Sequence, residues 1–269
     1  MEATNGATCD DSAMEMTYDD YLQIPELLSL QRHRSETHEH DEMLFIVVHQ
    51  VYELWFKQVL HEMVQLMRHI DADAIHRGSH QLQRILKILK VLVAQLDVLE
   101  TMTPVEFLSF RSFLGNASGF ESTQFRELEF ALGHKEPSHV ERFEGMAGHE
   151  RLVRRLAEPS LWLRFVRFLR RAGWQVHPPD DSAAATHPDP GVQEALIEIY
   201  RTDHQLAAFC ELLTDLDEGL QEWRYRHVKM VERTIGTKIG TGGSDGAAYL
   251  RTTLFAPVFP DLWAIRSSL

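Results

Sequence analysis

The strongest constraint on the fold of this chain is a long apolar and aromatic run, HDEMLFIVVHQVYELWFKQVLHEM, at residues 40–63. Large apolar residues recur in it at steps of three and four, at Phe45, Val48, Tyr52 and Phe56. This period predicts a helix that is buried on one side. His49 shares that side, so its imidazole needs a polar partner. Taken alone, the helix favours a core histidine bonded to a neighbouring group; a functional histidine is the alternative.

Helical patterns dominate the rest of the chain, and alternating strand patterns are nearly absent. Together they predict one all-α domain over 17–269, built from long antiparallel helices around a common core, after a flexible N-terminal tail at 1–16. Thr103, Pro104 and Glu106 form a capping-box sequence, and Gly115 follows where a left-handed helix end is expected. The predicted helices are 19–30, 41–70, 72–99, 104–114, 120–132, 147–172, 191–217 and 218–235.

Charge and composition limit the classes of partner. With 27 basic and 40 acidic side chains, the chain has a net charge of -13, which opposes binding to nucleic acid or to an anionic membrane surface. No apolar stretch is long enough to predict a membrane span, and no secretion signal is recognisable. The two cysteines predict neither a disulfide framework nor a cysteine metal cluster. We therefore expect a cytoplasmic protein with a small-molecule ligand.

Two charged or basic side chains stand out on apolar helical faces. Arg111 lies among phenylalanines in TPVEFLSFRSFLG, where its guanidinium either reaches solvent, pairs with a carboxylate of the chain, or grips a ligand carboxylate. His227 follows Trp223 by four residues. It suits either a buried structural histidine or an axial ligand of haem iron. Spacing alone does not decide among these interpretations for either residue.

A glycine-rich segment, KIGTGGSDGAAYL at 238–250, allows positive φ angles and close approach of backbone N–H groups to an anion. It does not match a phosphate-binding P-loop, because its lysine precedes the glycines. A flexible surface loop is the alternative interpretation, in which Thr241 is incidental.

Six blocks of the chain, taken together, resemble the signatures of tryptophan 2,3-dioxygenases, in the order of that family and across nearly the whole chain beyond the tail. The blocks are TYDDYL at 17–22, HDEMLFIVVHQVYELWFKQ at 40–58, FRSFLGNASGFES at 110–122, QFRELE at 124–129, WRYRH at 223–227 and GTGGSDG at 240–246. The resemblance implies a helical protein enclosing haem b, usually a homotetramer, that uses dioxygen to open the indole ring of L-tryptophan to N-formylkynurenine.

The resemblance also implies roles for residues at the haem. His227 resembles the proximal ligand of the haem iron, and His49 resembles the distal histidine that meets the indole N–H. Ser118 and Gly119 resemble small residues that line the distal face of the haem.

Five further residues resemble those that bind the substrate. Phe45 resembles the aromatic wall against the indole, Arg111 the clamp for the carboxylate, and Thr241 the loop residue at the amino-acid head group. Tyr18 resembles an N-terminal tyrosine contributed by a neighbouring subunit. Phe107 stands where some members of the family have tyrosine, so this chain lacks a hydroxyl there.

Three alternatives accompany this expectation. A related enzyme can insert a single oxygen atom into tryptophan or a methylated tryptophan, giving an oxindole-type product. A haem sensor or carrier would use His227 without turnover. A helical interaction scaffold would need neither haem nor tryptophan.

Overall fold

The computed structural model describes residues 15–179, 182, 185–238, 240 and 246–269. The predicted tail falls outside these residues except for 15 and 16. No strand occurs within the described residues, which agrees with the predicted all-α class. Their helices are α1 (Tyr18–Leu22), α2 (Ile24–Leu28), α3 (His40–Asp71), α4 (Ile75–Leu99), α5 (Pro104–Arg111), α6 (Thr123–Leu132), α7 (Pro137–Arg142), α8 (His149–Ala157), α9 (Leu161–Arg171), α10 (Pro190–Thr202), α11 (His204–Ile235), α12 (Ala247–Thr252) and α13 (Pro260–Ala264).

Three long helices, α3, α4 and α11, form the centre of the fold. The short turn at 72–74 folds α4 back against α3, and the Tyr52 hydroxyl donates to the Leu92 carbonyl at 2.7 Å across this antiparallel pair. α11 runs parallel to α4, because Lys90 pairs with Glu222 and, further along both helices, Glu100 pairs with Arg233. One hydrophobic core joins these helices to α5, α6, α9, α10 and α13.

Several helix ends differ from the prediction, and each break has a local cause. The predicted helix 19–30 is divided at Gln23, which has a φ of 53°, just before Pro25. The predicted helix 147–172 is wrong across Pro159, where Ser160 starts a new helix by accepting from the Leu163 N–H at 3.2 Å. Proline supplies no N–H for the helical ladder, which explains why both patterns are interrupted.

The predicted boundary between 217 and 218 is also wrong, because α11 continues through it. The break falls instead at Asp203, whose carboxylate accepts from the N–H groups of Gln205 and Leu206 at 3.1 and 2.9 Å. Such a capping side chain satisfies the free donors at the start of a helix. The single helix that results carries Trp223 and His227 in a fixed register.

The short helix α5 matches its predicted start. The Thr103 hydroxyl accepts from the Glu106 N–H at 3.4 Å, and the Glu106 carboxylate accepts from the Thr103 N–H at 2.6 Å. α5 ends at Arg111 and continues as a 3₁₀ turn over Ser112–Leu114. Gly115 has a φ of 57° but a ψ of -124°, so the predicted left-handed helix end is wrong in detail. The capping box fixes the helix that carries Phe107 and Arg111.

None of the helices that the structure describes combines the length and the apolarity needed to cross a bilayer.

Candidate functional site: a cavity between two histidines

A cavity of about 270 Å³ lies among α3, α4, α5, α6, α11 and α12. Apolar and aromatic side chains form most of its wall, and a few charged groups interrupt them. Binding sites for small molecules and cofactors typically have this character, because apolar walls bury the ligand and a few polar groups orient it.

His49 borders this cavity from α3. Its Nδ1 lies 2.7 Å from the Phe45 carbonyl oxygen. Because a carbonyl can only accept, Nδ1 carries the proton, and Nε2 of the neutral ring is left as an acceptor. Burial lowers the pKa of His49, against the opposing effects of the Phe45 carbonyl and the Glu53 carboxylate. The ring is therefore neutral at neutral pH and can accept a hydrogen bond.

His227 borders the same cavity from α11. Burial, and secondarily the charge of a protonated His49, lower the pKa of His227 to about 4. The ring is consequently neutral at neutral pH, as a metal-ligating imidazole must be. No hydrogen bond to either of its ring nitrogens is formed within the described part of the chain. Each of the two imidazoles therefore borders the cavity as a neutral ring.

An aromatic wall adjoins His49. The Phe45 ring lies 4.1 Å from the His49 ring, centroid to centroid. The Phe107 and Phe110 rings lie 5.8 and 5.6 Å from Phe45. Phe107 and Phe110 are buried, and they hold Phe45 at the edge of the cavity. A flat apolar ligand finds a complementary surface there.

Seven of the nine site residues predicted from the sequence border this cavity. They are Phe45, His49, Phe107, Arg111, Ser118, Gly119 and His227. Tyr18 does not border it and is 73% exposed. Thr241 lies outside the described residues, although Gly240 and Gly246 on either side of its segment border the cavity. The structure therefore brings together seven of these residues from distant parts of the sequence. The roles of all nine residues stay predictions.

A buried charge cluster on the cavity wall was missed in the sequence. Arg126 pairs with Glu129 one turn along α6, and the other Glu129 oxygen accepts from Arg224 on α11 at 3.1 Å. The three side chains are between 6% and 9% exposed. Within α6, the signal was a pair of opposite charges three residues apart in an apolar helix. Its third member comes from α11, and no local pattern connects it to the other two.

This cluster contains two cations and one anion, which leaves a positive excess beside an apolar cavity. The faces of the Phe120 and Phe125 rings lie 5.8 and 5.6 Å from the Arg126 guanidinium carbon. Cation–π contacts of this kind compensate only part of a buried charge. The cavity wall thus favours ligands that carry an anionic group as well as a flat apolar body.

An all-α fold with two neutral imidazoles on the wall of one apolar cavity defines a helical protein whose core contains a cavity suited to a flat, apolar small molecule. Comparison with known proteins gives the family: the model of tryptophan 2,3-dioxygenase matches residues 2–171 and 190–269. The chain belongs to the tryptophan 2,3-dioxygenase family. This finding confirms the resemblance predicted from the six sequence blocks.

Individual relatives match this chain over almost their full length. A tryptophan 2,3-dioxygenase of Herpetosiphon aurantiacus is 54% identical over 257 residues, which cover 94% of this chain and 98% of the relative. One from Anaeromyxobacter sp. (strain K) is also 54% identical, over 94% of this chain and 96% of the relative. One from Nocardioides sp. is 46% identical, over 98% of this chain and 99% of the relative.

Proposed function

We propose that this protein is a haem-dependent dioxygenase that opens the indole ring of L-tryptophan at its C2–C3 bond and gives N-formylkynurenine. The observation that carries this proposal is the pair of neutral imidazoles, His49 and His227, on the wall of one apolar cavity in a chain of this family. The names of the matched relatives favour this reaction over the oxindole-forming and sensor alternatives.

The residues of the cavity fit haem b. The macrocycle is flat and apolar, and the wall is largely aromatic and aliphatic. His227 supplies a neutral imidazole for the iron. The positive excess of the Arg126, Glu129 and Arg224 cluster suits the negative charge of a haem propionate. Ser118 and Gly119 leave room beside the macrocycle, because their side chains are small.

When bound, the haem supplies the iron that activates dioxygen. The protein itself holds and orients the substrate. His49 accepts the indole N–H at Nε2, because its Nδ1 is already committed to the Phe45 carbonyl. Since the indole N–H is a very weak acid, this bond orients the ring and need not remove the proton. Holding the ring in a reactive position is a large contribution to rate.

Selection of an amino acid depends on Arg111 at the end of α5. A guanidinium binds a carboxylate through two parallel hydrogen bonds, which a lysine cannot reproduce. Phe107 contributes a ring without a hydroxyl, so Arg111 carries more of this recognition. Thr241 completes the head-group contacts, and Tyr18 reaches the cavity of a neighbouring subunit in a homotetramer. The acidic, cysteine-poor chain supports a cytoplasmic location.

The reaction is tested with ferrous, haem-loaded protein, L-tryptophan and ¹⁸O₂. Two labelled oxygen atoms in the product are expected, because ring opening places one on each side of the broken C2–C3 bond. A product with one labelled atom means monooxygenation, and absence of product from haem-loaded protein means a sensor. Either result contradicts the proposal.

The role of Arg111 is tested by Arg111→Lys with two substrates. Loss of a charge-assisted hydrogen bond is worth about 1.5–3 kcal/mol, which corresponds to a rise in KM for tryptophan of about 10- to 160-fold. Tryptamine lacks the carboxylate, so its KM should stay near the wild-type value. An equal rise for both substrates would instead indicate a general distortion of the cavity.

A further inference from the structure

The indole ring of Trp223 lies directly against the imidazole of His227. Their ring centroids are 5.2 Å apart, and their planes differ by only 12°. The two residues are four apart on α11, so successive helical turns bring their side chains to one face. Both rings border the cavity. The stack therefore lies at the histidine assigned to the haem iron.

Trp223 is itself held by aromatic rings from two other helices. The Phe125 ring of α6 lies 5.0 Å from it. The Tyr52 and Phe56 rings of α3 meet it nearly edge-on, at 6.3 and 6.4 Å. Tyr52 is fixed in turn by its hydrogen bond to the Leu92 carbonyl. The Trp223 ring cannot turn without displacing side chains of the core.

A histidine on a helix has a broad second torsion, so something must fix the plane of its ring. Metal-ligating histidines usually obtain this from a hydrogen bond at the nitrogen that does not bind the metal. For His227, the stack with Trp223 is the aromatic contact that the described residues provide to the ring. Because α3 and α6 hold the Trp223 ring in place, the stack also restricts rotation of the His227 imidazole.

We propose that Trp223 is a positioning residue for the axial ligand: its stacked indole fixes the plane of the His227 imidazole and tunes the bond between that imidazole and the haem iron. The proposal depends on the haem-binding role of His227 given above. The stack also lays the electron-rich face of the indole beside the imidazole, which favours the more positively charged state of the ligated ring and iron.

The test compares Trp223→Leu with Trp223→Phe in haem-loaded protein. The readouts are the iron–histidine stretching band of the ferrous form, measured by resonance Raman, and the ferric–ferrous midpoint potential. Trp223→Leu removes the stack, so its band should broaden and shift, its potential should rise, and haem affinity should fall about 10-fold. Trp223→Phe keeps a stacked ring and should restore most of the band position.

Trp162→Phe is the matched control, because Trp162 is a buried tryptophan on α9 that does not border the cavity. It should leave the band and the potential unchanged even where it lowers stability. If Trp223→Leu does not fold, Trp223→Met replaces it in the comparison, because the flexible methionine side chain also lacks a ring but adapts better to an irregular gap in the core.

The inference is overturned if the non-aromatic variant keeps the wild-type band and potential, if Trp223→Phe fails to restore the band, or if Trp162→Phe shifts it equally. Failure of the proposed function looks different. In that case wild-type protein shows no iron–histidine band at all, or His227→Ala leaves the band in place.

Discussion

Replacing Glu129 should destabilise this protein far more than replacing an exposed glutamate of the same kind. In the described part of the chain, Glu129 is the carboxylate that pairs with the guanidinium groups of both Arg126 and Arg224. All three side chains are almost fully buried. Removing the anion leaves two like charges in a region of low dielectric.

The loss of stability depends on which hydrogen bonds and ring contacts each arginine retains without Glu129. Arg224 retains the carbonyl oxygens of Thr253 and Ala256, at 3.4 and 3.5 Å, which are long hydrogen bonds. Among the described residues, Arg126 retains the faces of two phenylalanine rings. Breaking a buried ion pair from one side costs about 3–5 kcal/mol. We expect Glu129→Gln near the lower end of this range and Glu129→Ala near the upper end.

Glu222→Gln is the matched control. Glu222 pairs with Lys90 at 2.6 Å, but the two side chains are 41% and 68% exposed. A surface pair of this kind contributes at most about 1 kcal/mol. The distances within the two ion pairs alone would predict similar contributions to stability, so the expected difference comes from burial.

The assay is equilibrium unfolding in urea, followed by both circular dichroism and tryptophan fluorescence. Protein concentration and haem content must be equal in all samples, because binding and oligomerisation shift apparent stability. Similar losses for Glu129→Gln and Glu222→Gln, each below about 1 kcal/mol, would refute the reasoning, because they would mean that the cluster is not buried in the folded protein.

Two further predictions concern the cavity directly. Burial lowers the pKa of His49 below its ordinary value of 6.5, so the neutral, accepting form of the ring persists into mildly acidic solution. The pH profile of kcat/KM should therefore stay level down through pH 6.5 and fall only below it. A fall centred at or above pH 6.5 would contradict this prediction. Gly246 borders the cavity and has a φ of 57°, and a Cβ added there would lie 2.9 Å from the Lys238 carbonyl oxygen. Gly246→Ala should therefore displace the backbone at the cavity wall and raise KM for tryptophan. Gly173→Ala is its control, since Gly173 has a φ of 100° and open space around it, and an equal rise in KM there would exclude a local effect.

The sequence was most informative where local chemistry decides the structure. The apolar period of 40–63 predicted the buried face of α3, and the Thr103 and Glu106 pair predicted the start of α5. The helix breaks at Asp203 and Pro159 were harder, because several polar residues in each region suit a cap equally well. Which of them acts depends on how the flanking helices pack.

The candidate site divides in the same way. Family blocks identified His49, Arg111 and His227 before any geometry, and the structure brings them to one cavity. The ion-pair partner of Arg224 and the ring that stacks on His227 depend on the directions of the side chains, which the sequence does not show. Helical spacing did not decide the role of His227, because a histidine four residues after a tryptophan suits a buried core equally well.

The most direct test of the whole account is a haem titration of wild-type protein, His227→Ala and His49→Ala, followed by the Soret band. We predict a saturable five-coordinate ferrous spectrum for wild type, nearly the same spectrum and affinity for His49→Ala with much slower turnover, and loss of this spectrum for His227→Ala. Binding that survives in His227→Ala with an unchanged spectrum, or that is lost in His49→Ala, would contradict the assignment of the two imidazoles.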